Sequence, residues 1–201
     1  MEKPADTQYP IHELLQRRWS PRAFSEQPVG QDHVRSLLEA ARWAPSSFNE
    51  QPWRFLVATK QDLSDYDRLL SCLTSTNQLW ARLAPVLMMS VAKIVFTEGH
   101  EVNRHALHDV GLAVENLVVQ ATALGLRVHQ MAGIYPDKAR ELYGIPGEYD
   151  IVAAIAIGYP GNPETLPERF QQRERAKRSR KPIADFTFAG YWGRPSPIVA
   201  Q

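Results

Sequence analysis

The sequence predicts an α+β domain, and three observations predict it. Four short apolar runs with strand character, at 54–60, 85–93, 126–133 and 149–161, alternate with stretches whose apolar residues recur at helical spacing. No internal repeat is visible, and no second apolar core follows the fourth run. The 201 residues suffice for one domain with a well-buried core. The reading is therefore a single domain over residues 1–201, with a C-terminal arm from about residue 163.

Residues 1–9 read as a loose polar arm. "IHELLQRR", 11–18, is a short helix ending at an arginine cluster. In 31–44, Val34, Leu37, Leu38, Ala41 and Ala44 keep helical spacing, and Pro45 ends the helix. "RFLVATK", 54–60, is a strand, and 61–83 reads as helical and polar, with Asp62 or Ser64 as cap. "PVLMMSVAK", 85–93, is apolar on both faces, which predicts a central strand. The longest helix spans 103–125. Its stripe of Val110, Ala113, Val114, Leu117, Val118, Ala121 and Leu124 belongs in the core, in a subunit interface, or in both, and Gly125 stops it. Residues 126–133 form a third strand, and 136–144 a short helix opened by Pro136 and closed by Gly144. The fourth strand, from 149, stops in a Tyr-Pro-Gly turn. From Glu168 to Lys181 seven cations face two acids, and the last stretch is aromatic and proline-rich.

Composition excludes several classes of function. The apolar fraction of 44%, the charged fraction of 22% and the net charge of +1 describe an ordinary soluble chain with no global pull towards nucleic acid or anionic lipid. Any anion site is therefore local. Cys72 is the only cysteine, so no intrachain disulfide forms and a reducing, cytoplasmic setting fits. "MEKPADTQYP" lacks the apolar core of a secretory signal, and the longest apolar runs are too short to span a bilayer. The glycine-rich cradles of dinucleotide and nucleoside-triphosphate sites are absent. His105 and His108 could share a helix turn beside Asp109 and His100, but no third metal ligand is placed, so no metal is expected.

Three segments carry candidate chemistry. Arg18, Ser20 and Arg22 alternate across a turn stiffened by Pro21. Arginine forks match phosphate oxygens and a hydroxyl adds a donor, while a solvated helix end would serve the helix dipole instead. In "APSSFNEQPW", 44–53, Ser46, Ser47, Asn49 and Gln51 offer directional polar groups between the apolar walls Phe48 and Trp53. That pattern suits either a pocket for a flat polar heterocycle or a well-capped loop. "RSRKP", 178–182, is either a solvated run or a second hand on the same phosphate.

Together, "RRWSPRAF", the Pro28-Val29 pair, "LLEAARWAPSSFNEQPWRF", "MAGIYPDKARELYGIPGEYDIVAAIAIGYPG" and "RSRKP" resemble the FMN-dependent nitroreductase family, in its order and spacing from about residue 11 to 182. The resemblance implies a central, mostly antiparallel sheet flanked by helices, in an intertwined homodimer with two FMN sites at the subunit interface. Carried over by position, Arg18, Trp19, Ser20 and Arg22 would hold the ribityl phosphate and adjacent polar atoms, and Arg178 and Arg180 would close on it. Pro45, Ser46, Ser47 and Asn49 would come from the partner subunit and line the isoalloxazine. Asn77 falls where the family often has a flavin-contacting amide, and Ala132 and Gly133 would present backbone N–H groups to the flavin N5 edge.

The function implied is hydride uptake from NADH or NADPH, then reduction of a flat, electron-poor small molecule such as a nitroaromatic or quinone, with ping-pong kinetics. The redox chemistry is the cofactor's, so no side chain is assigned as catalytic. Other readings are a flavoenzyme of the same fold acting as a dehydrogenase, desaturase, dehalogenase or flavin-fragmenting enzyme, and a flavin-binding module without turnover. No nucleic acid and no membrane is expected as partner.

Overall fold

The apolar run Val86–Lys93, β2, is buried along all but its last residue, and this settles its place in the sheet. It lies between β1 (Trp53–Thr59) and β4 (Tyr149–Gly158), with β3 (Arg127–Met131) beyond β4. All three neighbouring pairs are antiparallel, as the family resemblance implies. This computed structural model describes residues 2–199.

Because side chains alternate along a strand, the central strands feed two cores. On one face Val86, Met88, Ala92, Ile155 and Ile157 meet α2 (Gln31–Arg42) and α5 (Ala106–Ala123). The α5 stripe from Val110 to Ala121 is buried there, so within one chain it belongs to the core. On the other face Leu87, Met89, Val91, Ala154 and Ala156 meet α3 (Leu63–Ser71), α4 (Ser75–Ala81), α6 (Pro136–Tyr143) and α7 (Glu168–Arg175). The short α1 (Glu13–Arg17) precedes them all and buries none of its residues. Phe170, 1% exposed, is the hydrophobic anchor of the otherwise polar α7. Full burial of such a ring contributes about 1.5–3 kcal/mol.

Two expectations are corrected and one open alternative is resolved. Residues 61–83 form two helices, not one stretch, because the chain between them pairs elsewhere: Tyr135 N donates to Cys72 O at 2.7 Å and Thr74 N to Gly133 O at 3.0 Å. Asp62, not Ser64, caps α3, its carboxylate accepting from Asp65 N at 3.1 Å. The N-terminal arm is irregular but not loose. Ala5 N donates to Gln16 O at 2.8 Å, and Arg178 Nη1 to Lys3 O at 2.7 Å.

Candidate anion-binding site

The arginine turn is held at one end of the sheet by the turn that closes β4. Ser25 N donates to Tyr159 O at 3.0 Å and Gly161 N to Ala23 O at 2.9 Å. A Cβ on Gly161 would lie 2.4 Å from the Phe24 backbone, so only glycine admits this approach. From the other side His129, on β3, donates through Nδ1 to Pro21 O at 2.8 Å. Its ring packs on Trp80 at 4.5 Å between centroids, and Arg22 Cζ lies 5.7 Å from the same indole. Burial pushes the His129 pKa down to about 4, against the raising effect of its backbone bond to Pro21.

What this turn builds is a cleft of about 240 Å³, lined by Lys3, Arg18, Trp19, Ser20, Arg22, Arg173, Glu174, Ala176, Lys177, Arg178 and Arg180. Seven of these side chains are cationic and one is acidic. The acid offsets only one of the seven charges and makes its hydrogen bonds to main-chain N–H groups. Glu174 is buried, and its Oε1 accepts from Arg22 N at 3.0 Å and from Ala23 N at 3.1 Å. Burial, then the neighbouring Arg18 and Arg180, lowers the pKa of Arg178 from its ordinary value. Burial is also the first cause of the lowered pKa of Arg22. Like charges crowded in this way favour an anionic ligand. Two buried donors on cleft-lining residues, Trp19 Nε1 and Arg22 Nε, have no hydrogen-bond partner among the described residues. A buried N–H without an acceptor is costly, and a phosphate group brings several acceptor oxygens.

Of the residues singled out from sequence, Arg18, Trp19, Ser20, Arg22, Arg178 and Arg180 therefore meet in one cleft. Arg18 Nη1 also donates to Ser20 Oγ at 3.3 Å. Lys3, Arg173, Glu174 and Lys177 were missed. Arg173 and Lys177 lie in the charge run already noted, whereas nothing local in the sequence marks Lys3 or Glu174.

Pro45, Ser46, Ser47 and Asn49 do not line this cleft in the same chain. They follow α2 in a tight turn in which Phe48, Asn49 and Gln51 take left-handed φ values of 51°, 58° and 49°. Ser46 Oγ accepts from Gln51 N at 3.0 Å, and the buried Asp109 accepts from Ser47 N at 2.9 Å. Phe48, at the tip, is 89% exposed. His108 Nδ1 pairs with the other Asp109 oxygen at 3.0 Å, and no group of three or more metal-ligating side chains is found among the described residues.

Asn77 sits on α4 and donates through Nδ2 to Gly133 O at 3.0 Å. A Cβ on Gly133 would meet Asn77 Nδ2 at 2.5 Å and Thr74 Oγ1 at 2.9 Å, so a side chain there would displace the Asn77 amide from this contact. The N–H groups of Ala132 and Gly133 donate to no acceptor among the described residues. They form a pair of fixed, free donors in a loop whose carbonyl is tied down by Thr74 and Asn77. No helix among the described residues is long and apolar enough to cross a membrane.

Comparison with known proteins places this geometry. Residues 15–159 match the profile of the nitroreductase family. The solved structure of an oxidoreductase containing FMN is 36% identical, with a TM-score of 0.87 over 94% of this chain and 96% of that one. An Archaeoglobus fulgidus protein named as an NADH dehydrogenase/NAD(P)H nitroreductase is 26% identical over 73% of this chain and 83% of its own length. An uncharacterised protein of Mycolicibacterium smegmatis is 31% identical over 49% of this chain, and the match spans 66% of that relative.

Proposed function

The chain belongs to the nitroreductase family, and from that premise we propose that it is an FMN-dependent oxidoreductase. It takes hydride from NADH or NADPH and reduces nitroaromatic, quinone or similar electron-poor acceptors with ping-pong kinetics. The observation that carries the reading is the cleft, where the arginine turn and the C-terminal arm, joined by a contact between residues 152 positions apart, present six cations, with Lys3 of the N-terminal arm as a seventh, around one engaged acid. The FMN contained in a structure 36% identical to this chain supports the choice of anion.

Arg18, Ser20, Arg22, Arg178 and Arg180 would hold the phosphate, and Trp19 Nε1 would find the acceptor it lacks. Each charge-assisted bond contributes about 1.5–3 kcal/mol. Ala132 and Gly133 would turn their free N–H groups to the ring edge, oriented by Asn77. When bound, FMN supplies the electron-transfer chemistry, and the protein's part is orientation and exclusion of water. Pro45, Ser46, Ser47 and Asn49 of a second copy would cover the ring. The exposed Leu15, Phe48, Val102 and Leu107 support such a homodimer, whose obligate interface would bury about 2,000–5,000 Å². The lone, buried Cys72 thiol fits the cytoplasm.

The purified protein should be yellow, release free FMN on denaturation, and bleach anaerobically with NADH or NADPH. A colourless protein that takes up no added FMN overturns the proposal. A yellow protein that neither reductant bleaches sinks the reductase reading alone. Intersecting double-reciprocal plots would refute the ping-pong step.

A further inference from the structure

We infer that Glu174 is a positioning residue that sets the spacing between the two halves of the phosphate site, an inference resting on the reading of the cleft given above. A carboxylate inside an anion site lowers affinity by simple repulsion. Glu174 lines the cleft and is 2% exposed, so it needs a compensating role.

The geometry supplies one. Glu174 Oε1 accepts from Arg22 N at 3.0 Å and Ala23 N at 3.1 Å, and Oε2 accepts from Arg22 N at 3.0 Å. Its main-chain carbonyl accepts from Lys3 Nζ at 2.7 Å. One residue therefore ties three segments remote in sequence: the N-terminal arm, the arginine turn and the end of α7. The backbone it grips carries Arg22, whose guanidinium carbon lies 5.7 Å from the Trp80 ring and 5.8 Å from that of Phe170. Phe170 anchors α7 one turn before Glu174. The position of Arg22 relative to Arg178 and Arg180 is thus fixed through this carboxylate, and its charge is spent on backbone N–H groups rather than on the ligand.

Electrostatics alone and positioning predict opposite signs for Glu174→Gln. Removing a negative charge from the cleft tightens phosphate binding if Glu174 only repels. Gln keeps one acceptor oxygen, so the Oε2 contact to Arg22 N is lost and an NH₂ group faces that N–H, which loosens the tie and weakens binding if Glu174 positions. Glu174→Asp keeps the charge but shortens the reach, so positioning alone predicts a loss there too. FMN and riboflavin are titrated against the apoprotein by flavin fluorescence, with circular dichroism as a check on folding. In both variants the FMN Kd should rise about tenfold or more, the scale of one lost buried hydrogen-bonding arrangement. The riboflavin Kd should stay within about twofold, because riboflavin lacks the phosphate.

FMN affinity that is unchanged or tighter overturns the inference, and so does an equal loss for both flavins, which would mark a general structural role. If Glu174→Gln does not fold, Glu174→Asp decides. Arg22→Ala with Arg180→Ala is run in parallel. If that pair leaves FMN affinity unchanged, the phosphate reading itself falls and takes this inference with it.

Discussion

The cationic cleft and the Pro45–Gln51 turn are the two regions that sequence marks most strongly, and the fold treats them differently. The cleft draws its residues from the two ends of the chain and completes itself within one copy, through the grip of Glu174 on Arg22 and Ala23. The turn is contiguous in sequence, yet it ends in an exposed Phe48 with three non-glycine residues in left-handed backbone. Such conformations cost of order 1–3 kcal/mol each and persist only where the surroundings enforce them. Here the enforcement comes from Asp109 on α5, from Thr97 N donating to Glu50 Oε2 at 3.0 Å and from Phe96 edge-on to Phe48 at 5.9 Å between centroids, while most of the Phe48 ring stays exposed. One region is a finished receptor for charge. The other ends in an exposed aromatic ring that, in the proposed homodimer, a second copy would cover.

The largest effect should separate the two regions by ligand. Arg22→Ala with Arg180→Ala would remove two charge-assisted contacts of the proposed phosphate site, so FMN affinity should fall by about 10²–10⁴-fold while riboflavin affinity barely changes. Fluorescence titration at low and high salt checks this, and the FMN advantage over riboflavin in the native protein should shrink as salt rises. Equal losses for both flavins would mean that the cleft does not read the phosphate.

Acid should attack the cleft side next. His129 titrates near 6.5 in an unfolded chain, and its pKa is pushed down to about 4 in the fold, chiefly by burial. Between those values the unfolded chain binds the extra proton. Stability is therefore full above the unfolded value and is lost as pH falls towards the folded one, by about 3 kcal/mol over the window. His129→Asn keeps a donor for Pro21 O but cannot titrate. Urea unfolding at pH 7, 5.5 and 4.5 should show a clearly shallower decline for the variant. Identical declines would show that His129 is not the acid-sensitive contact.

The same contrast explains what could be read in advance. The apolar residues of β2 reveal a central strand because a doubly buried strand needs side chains that are apolar on both faces. Arg18, Ser20, Arg22, Arg178 and Arg180 are legible because charge without local compensation stands out in any window. Glu174 was illegible for the converse reason. In sequence it is one of two acids in a basic run, and only the fold brings it to the amides of Arg22 and Ala23. Lys3 is hidden in the same way, since a lysine in a polar arm carries no signal until its arm is pinned. The break between α3 and α4 depends on the Gly133 and Tyr135 backbone, some sixty residues away in chain order. Phe48 read as a pocket wall, and within one chain it is no wall at all.

That last point can be tested on the turn side. Phe48→Asp alters a residue 89% exposed in a single chain, so monomer stability should change by no more than about 0.5 kcal/mol. In the proposed homodimer the same ring is covered, and its loss should raise the dimer Kd by tenfold or more, from about 1.5–3 kcal/mol of burial. Sedimentation velocity across a concentration series distinguishes the two. A native protein that is monomeric throughout, or a variant that dimerises as well as the native chain, would remove the claim that the turn is completed by a second copy.

The smallest expected effect lies outside both regions, at Asn77 on α4. Its Nδ2 is committed to Gly133 O at 3.0 Å, and Thr74 N donates to the same carbonyl. The loop is thus doubly held, and Asn77→Ala removes one neutral hydrogen bond, worth about 1 kcal/mol. FMN and riboflavin affinities should both fall, each less than tenfold, since in the proposed complex the loop would face the ring rather than the phosphate. The flavin absorption maximum should also move, because the Ala132 and Gly133 N–H groups lose part of their orientation. A loss confined to FMN would place Asn77 on the phosphate side. A loss well beyond tenfold for both flavins would mean that the amide touches the ring directly instead of steering the loop that does.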